Sequence, residues 1–360
     1  MRRYLNVRLL TAITLLALLF GTPFIAQAHV KWFSDFSFAD PPLTLEAALT
    51  STFGALAALT FIIMGALVFL DERLQELPVY KSIVNWLSAR KDQALVVLRV
   101  GMGVTLLLSW QADRLLAPDL AAPSALVGWM QFVVALLLVL PATTPLAGVG
   151  VLVLYGIAIA NFGAFYMLDY FAFVGVGVYL LVARSGNARI RGLRLPALYF
   201  SIGFSLMWLG LEKIIYPQWG IYILQQNPQL TLGLDVGFFL LSAAFVELAL
   251  GYLLIIGLLE RPLSLVVTLV FFTTTLVFGK VEIIGHTILH AALLVFLLEG
   301  PGRTYPAPIR IHQQLGLRIA FAAVNFILLL GILLVAYSGV AQLEYQAAVS
   351  SAETSTALLP

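Results

Sequence analysis

The sequence predicts an all-α, polytopic transmembrane protein: two tandem four-helix bundles in parallel orientation, with one extra helix at each end. Three observations carry that expectation. The chain is 61% hydrophobic and only 11% charged, where a soluble domain is about a quarter charged. Apolar runs of about 20 residues recur from end to end, each enough to cross roughly 30 Å of hydrocarbon. They are too long for barrel strands of about 10 residues, so they must close their backbone hydrogen bonds as helices. Finally, one set of landmarks occurs twice. Asp113-Arg114-Leu115-Leu116-Ala117-Pro118 returns as Glu212-Lys213-Ile214-Ile215-Tyr216-Pro217. Trp129-Met130-Gln131 answers to Phe245-Val246-Glu247, and Phe162-Gly163 to Phe278-Gly279. A shared order of landmarks is the trace of a tandem duplication.

The elements follow in order. Arg2, Arg3 and Arg8, the apolar stretch Leu9 to Phe20 and Ala26-Gln27-Ala28 read as a signal peptide over residues 1–28. Its apolar centre is short for a span; an uncleaved first helix is the alternative. Cleavage would make His29 the new N-terminus. Residues 29–92 hold an aromatic cluster expected at the interface (Trp32, Phe33, Phe36, Phe38) and a helix start at Asp40-Pro41-Pro42. A first span at about Leu43 to Leu70 and a polar loop complete that stretch. The first unit, 93–194, has spans at about Ala94–Leu116, Ser124–Leu140, Leu146–Asn161 and Ala164–Val182. The second, 195–300, has them at about Leu195–Tyr216, Val236–Leu259, Leu263–Phe278 and Ile283–Leu298. Residues 301–360 supply a basic loop, a tenth span at about Ile319–Tyr337 and a weakly acidic tail.

Basic residues set the orientation. Arg184, Arg189, Arg191 and Arg194, then Arg303, Arg310 and Arg318, fall in loops on one side. The opposite connections, 119–124 and 217–235, hold no lysine or arginine. This places the chain in the bacterial inner membrane with the mature N-terminus periplasmic. Four spans per unit make the repeat parallel rather than inverted.

Composition also excludes. Without cysteine there is no disulfide, thiolate nucleophile or cysteine-ligated cluster. A formal net charge of +2 implies no nucleic-acid partner; the partner is the lipid bilayer.

The second copy resembles the unit of the DoxX-like membrane family in Gly203, Gly210-Leu211-Glu212-Lys213, Glu247 within Phe-Val-Glu-Leu-Ala-Leu-Gly251, and Gly257-Leu258-Leu259-Glu260-Arg261. The first copy keeps Leu98-Arg99, Gly103 and Asp113-Arg114, but has Gln131 for the glutamate and lacks the arginine turn. The resemblance covers about Ala94 to Gly300 and implies a four-helix unit. It also implies association with a redox partner subunit, since the family's best-known activity belongs to a thiosulfate:quinone oxidoreductase. Membership carries fold more than function.

Ionisable groups inside spans cost roughly 2.5–3.5 kcal/mol on insertion scales, so each needs a reason. Glu247 is expected roughly 16 Å deep and His290 about 12 Å deep, counting 1.5 Å per residue. His286 lies one turn nearer the outer surface on the same helix face, close to the level of Lys213. These four residues form the candidate site, with Glu282 and Lys280 at its rim. Proton exchange with a quinone is one reading. A metal ion held by His286, His290 and the terminal group of His29, with the chain acting as a copper-type or small-solute permease, is another. A third makes Glu247 a bundle-gluing hydrogen bond in a non-catalytic scaffold. The Asp113-Arg114 and Glu212-Lys213 pairs read as interfacial helix anchors or, at the outer mouth of each unit, as charges that attract a substrate; Trp110, Trp129, Trp219 and Tyr222 read as an aromatic belt. The pairs Gly101/Gly103, Gly148/Gly150 and Gly175/Gly177 read as close-packing positions.

Overall fold

The structure is a computed structural model that describes residues 29–300 and 308–357; the expected signal and Arg303 lie outside them. Among the described residues there are helices and no strand, apart from a lone bridge between Arg114 and Ala121. The longer helices are α1 (Ser51–Glu76), α2 (Pro78–Ser88), α3 (Ala94–Gln111), α4 (Ala125–Leu137), α5 (Thr144–Phe162) and α6 (Ala172–Val182). They continue as α7 (Arg194–Ile215), α8 (Pro217–Gln226), α9 (Val236–Ile256), α10 (Glu260–Phe278), α11 (Lys280–Glu299) and α12 (Leu315–Ala357). Among the described residues eight helices are long and apolar enough to cross a membrane, or nine if a bent pair counts as one span. The protein is an all-α, multi-pass membrane protein.

The expected ten spans therefore need correction at two places, both in the first copy. The segment Ala164–Tyr170 meets α6 at 65°, so the fifth span is broken. The third, α4, has only 13 residues, about 20 Å of helix, too short to cross unaided. The second expected span also ends early, at Gln111 rather than Leu116. Asp113 and Leu116 adopt positive φ of 56° and 64°, which folds the chain back. The Gln131 amide locks that turn by accepting from Leu116 N and donating to the carbonyls of Leu106 and Arg114.

The entry to α1 differs as well. Thr50, not Asp40, caps it by accepting from Phe53 N, and Thr44 caps a preceding turn. Asp40 instead accepts from the Trp219 indole at 2.7 Å, which pins the N-terminal segment to α8. At the other end, α12 runs 43 residues where about 19 were expected, and packs along α1.

The two copies lock by an exchange of helices. The first helix of copy one, α3, packs on the last helix of copy two, α11. The last helix of copy one, α6, packs on the first of copy two, α7. A parallel duplication related by an axis along the bundle predicts that reciprocal contact. Small residues make both seams possible. A Cβ on Gly101 would overlap Ala291, and one on Gly175 would meet Ser201 and the Ala197 carbonyl. Gly148 and Gly177 bring α5 against α6 in the same way, whereas Gly103 has ordinary room, its nearest neighbour at 3.9 Å.

Candidate functional site

The site lies where both copies meet the N-terminal segment, at the end of the bundle remote from the Arg194–Glu299 pair that ties the start of α7 to the end of α11. Its centre is Lys31. The ammonium lies 2.6 Å from Asp169 of copy one and 2.7 Å from Glu212 of copy two. All three residues are buried. The ring of Tyr166 stands 4.7 Å from Lys31 Nζ, with Phe36, Phe38 and Trp219 around it. Burial would lower the Lys31 pKa, but Asp169 and Glu212 outweigh it and hold it above the usual lysine range.

The same segment supplies two aromatic wedges. Trp32 donates its indole N–H to the Tyr170 hydroxyl at 2.8 Å, and Tyr170 donates to Asp119 at 2.6 Å. Tyr166 also donates to Asp119. Burial raises the Asp119 carboxyl, while the two phenol hydrogen bonds oppose that rise. His29 stacks between Trp32 and Tyr170, with ring centres 4.4 and 5.1 Å away. Burial, with His286, Lys213 and Lys31 adding to it, holds this imidazole well below its ordinary pKa. Trp32 reaches copy two because residue 285 is glycine, where a Cβ would overlap the indole.

Copy two contributes two further pairs. Lys213 on α7 meets Glu247 on α9 at 2.8 Å. The helices approach closely at Gly203, Gly210 and Gly251, where a Cβ on Gly210 would stand 2.8 Å from the Ala244 carbonyl. The Lys213 side chain runs back toward Leu209 O at 3.5 Å, which lets a residue near the helix end reach a carboxylate near mid-span. His286 Nδ1 lies 2.6 Å from Glu282 on the same helix, and Thr274 donates to Glu282 at 2.8 Å. Phe271 stacks on His286 with 4.2 Å between ring centres.

His29, Asp169, Lys213, Glu247 and His286 line one cavity of about 40 Å³. At roughly 10–15 Å³ per water centre, it admits about two to four waters. The charges around it do not balance. Asp169, Glu247 and Lys213 line the cavity, and Glu212, Glu282 and Lys31 are buried outside its lining, which makes four buried carboxyls against two buried lysines. With neutral imidazoles, two negative charges are left uncompensated in a buried interior, an arrangement that costs several kcal/mol per ion. The His286 imidazole and the Glu282 carboxyl approach to 2.6 Å beside this group, a separation at which a charge-assisted hydrogen bond forms.

The structure thus brings together Lys213, Glu247, His286 and His29 of the predicted residues. His290 stands apart. It does not line the cavity, but packs against Phe271 and Phe272 on the α10 side, 6.4 Å from the His286 ring. The expected order Lys213, His286, His290, Glu247 is replaced by two separate pairs, Lys213–Glu247 and His286–Glu282. Among the described residues no group of three or more His, Asp or Glu side chains is arranged to hold a metal ion. Two expected surface roles are corrected. Glu212 and Lys213 are buried at 0% and 2% exposure rather than anchoring a helix end, and Trp219 is buried against Lys31 rather than in an aromatic belt. Trp129 and Tyr222 are exposed as a belt requires.

Sequence reasoning missed Lys31, Asp119 and the bridging role of Glu212. One lysine among the aromatics Trp32, Phe33, Phe36 and Phe38 was the available signal for the first, since such a cation is stabilised against ring faces. The others depend on distant contacts, Asp119 on phenols 47 and 51 residues away and Glu212 on Lys31 near the start of the chain, which no local pattern encodes. The first copy has no counterpart of the Lys213–Glu247 pair: Asp113 is exposed, and Gln131, at the place of Glu247, bonds only backbone. No protein-family model, curated protein or solved structure matches the chain.

Proposed function

We propose that the chain is a DoxX-like, redox-associated component of the bacterial inner membrane that exchanges protons with a membrane quinone at this centre. The observation that carries the reading is the buried excess of carboxylates over lysines around a water-sized cavity beside two imidazoles. Such a set is uncharged only when it holds extra protons, and a proton-holding centre suits a carrier that binds protons with electrons.

The cavity is too small for a quinone ring, so the carrier docks from the side. His290 is half-buried between α10 and α11, beside Phe272, which is 54% exposed toward the surrounding lipid. A reduced carrier there would give its proton to the unpartnered His290 Nδ1, from which His286 and Glu282 lead to the cavity. Lys213 holds Glu247 in place as the second acceptor. The electrons leave to a partner subunit, in keeping with the resemblance to the DoxX-like family.

The test uses protein reconstituted in nanodiscs with a short-chain ubiquinone analogue. Binding is read from quenching of the chain's tryptophans. The reading expects His290→Ala to weaken binding about tenfold, the scale of one lost hydrogen bond, and Glu247→Gln to leave binding intact while abolishing the pH dependence of quinol oxidation by an added acceptor. Equal binding by wild type and His290→Ala would overturn it.

A further inference from the structure

The helix α2 (Pro78–Ser88) neither spans the bundle nor contributes to the centre. None of its residues is buried. Tyr80, Val84 and Leu87 turn toward the protein and are half-buried; Arg261 at the start of α10 donates to Ser88 at 2.8 Å, and the helix packs on α11. The opposite stripe, Val79, Ile83 and Trp86, is 66%, 50% and 58% exposed. These positions fall at i, i+4 and i+7, one helix face.

The charge around that stripe is mostly positive once internal pairs are removed, with Asp92 the adjacent carboxylate in no ion pair among the described residues. Arg73 pairs with Glu76, and Asp71 and Glu72 are taken by Arg318. Lys81, Arg90 and Lys91 are in no ion pair among the described residues, and the Arg90 guanidinium lies 3.9 Å over the Trp86 ring. The helix follows directly from α1, a membrane span, after Leu77, which sets it at the level where hydrocarbon gives way to headgroups.

We propose that α2 is an interfacial helix bound to an anionic lipid surface: Val79, Ile83 and Trp86 enter the acyl boundary, and Lys81, Arg90 and Lys91 engage acidic headgroups. An apolar stripe flanked by cations is the composition that lies in a bilayer interface, and each lysine or arginine near an acidic surface strengthens the contact. The occupant is lipid rather than a protein because the stripe is narrow and continuous with the lipid-facing surface of a span.

The absence of cysteine makes the test direct. Ile83→Cys and Lys81→Cys are each spin-labelled in nanodiscs of phosphatidylcholine alone or mixed with phosphatidylglycerol. The label at 83 should be accessible to oxygen and shielded from a water-soluble nickel complex, the label at 81 the reverse. Phosphatidylglycerol should move the label at 83 toward the acyl chains, and Lys81→Gln with Lys91→Gln in that background should erase the shift. A water-exposed label at 83, or a depth indifferent to acidic lipid, would overturn the proposal. A Trp86→Cys label reports the same face should Ile83→Cys fail to fold.

Discussion

Replacing Lys31 with methionine removes one cation from between two carboxylates. At 2.6 and 2.7 Å, each pair has a gross attraction of about 6 kcal/mol at an effective dielectric near 20. Most of that is offset by the cost of taking the charges out of water. What remains when one partner of a buried pair is lost is a penalty of about 3–5 kcal/mol, because Asp169 and Glu212 are left buried and facing each other. The variant can escape part of this by protonating one of them. Escape is easy in acid and hard in base, so the deficit should widen as pH rises. At roughly 2 °C per kcal/mol for a chain of this size, the melting temperature in detergent should fall about 6–10 °C at alkaline pH and less under mild acid. Adding Asp169→Asn and Glu212→Gln should recover most of the loss, since a polar, uncharged trio has no ion to leave unpaired. A Lys31→Met protein that melts within about a degree of wild type at every pH, or a triple variant no better than the single, would refute the reasoning.

Other outcomes follow from the same geometry. Glu247→Leu should destabilise by about 3–5 kcal/mol by stranding Lys213, and adding Lys213→Met should restore stability; thermal melts of the four proteins of the cycle decide it. His29 is held neutral by burial, so its folded pKa lies below the unfolded value near 6.5. Its contribution is full above that value and is lost as pH falls below it, when the unfolded chain takes up the proton first. His29→Phe should therefore flatten the acid side of the melting profile without changing it above neutrality. Gly285→Leu should expel Trp32 from its seat, seen as a red shift of tryptophan emission. Gly175→Leu should wedge α6 from α7 at a cost of about 1–3 kcal/mol, checked by denaturation in mixed detergent.

Much of the fold was legible because hydrophobic runs and turn chemistry are local. The boundaries of α5, α7, α9 and α11 fall within a few residues of the expected ones. The first copy departs where tertiary contacts override composition: Gln131 captures the backbone after Gln111, and the fifth span bends at Phe171. In the site, Lys213, Glu247 and His286 could be read because a charge in an apolar run is costly wherever it packs. Their partners could not. Helical spacing set His286 and His290 on one face, but the cavity lies along the edge of that face, so one imidazole enters and the other looks toward lipid. The N-terminal segment, expected at the interface, is drawn inward because Lys31 finds two carboxylates there that no other described lysine or arginine reaches.

An infrared difference spectrum of the solubilised protein between about pH 6 and about pH 9 reads the protons at the centre most directly. Bands of protonated carboxyls should appear in the difference and shrink in Asp169→Asn and Glu247→Gln. Four fully ionised carboxylates beside neutral imidazoles, unchanged by those substitutions, would contradict a proton-holding centre.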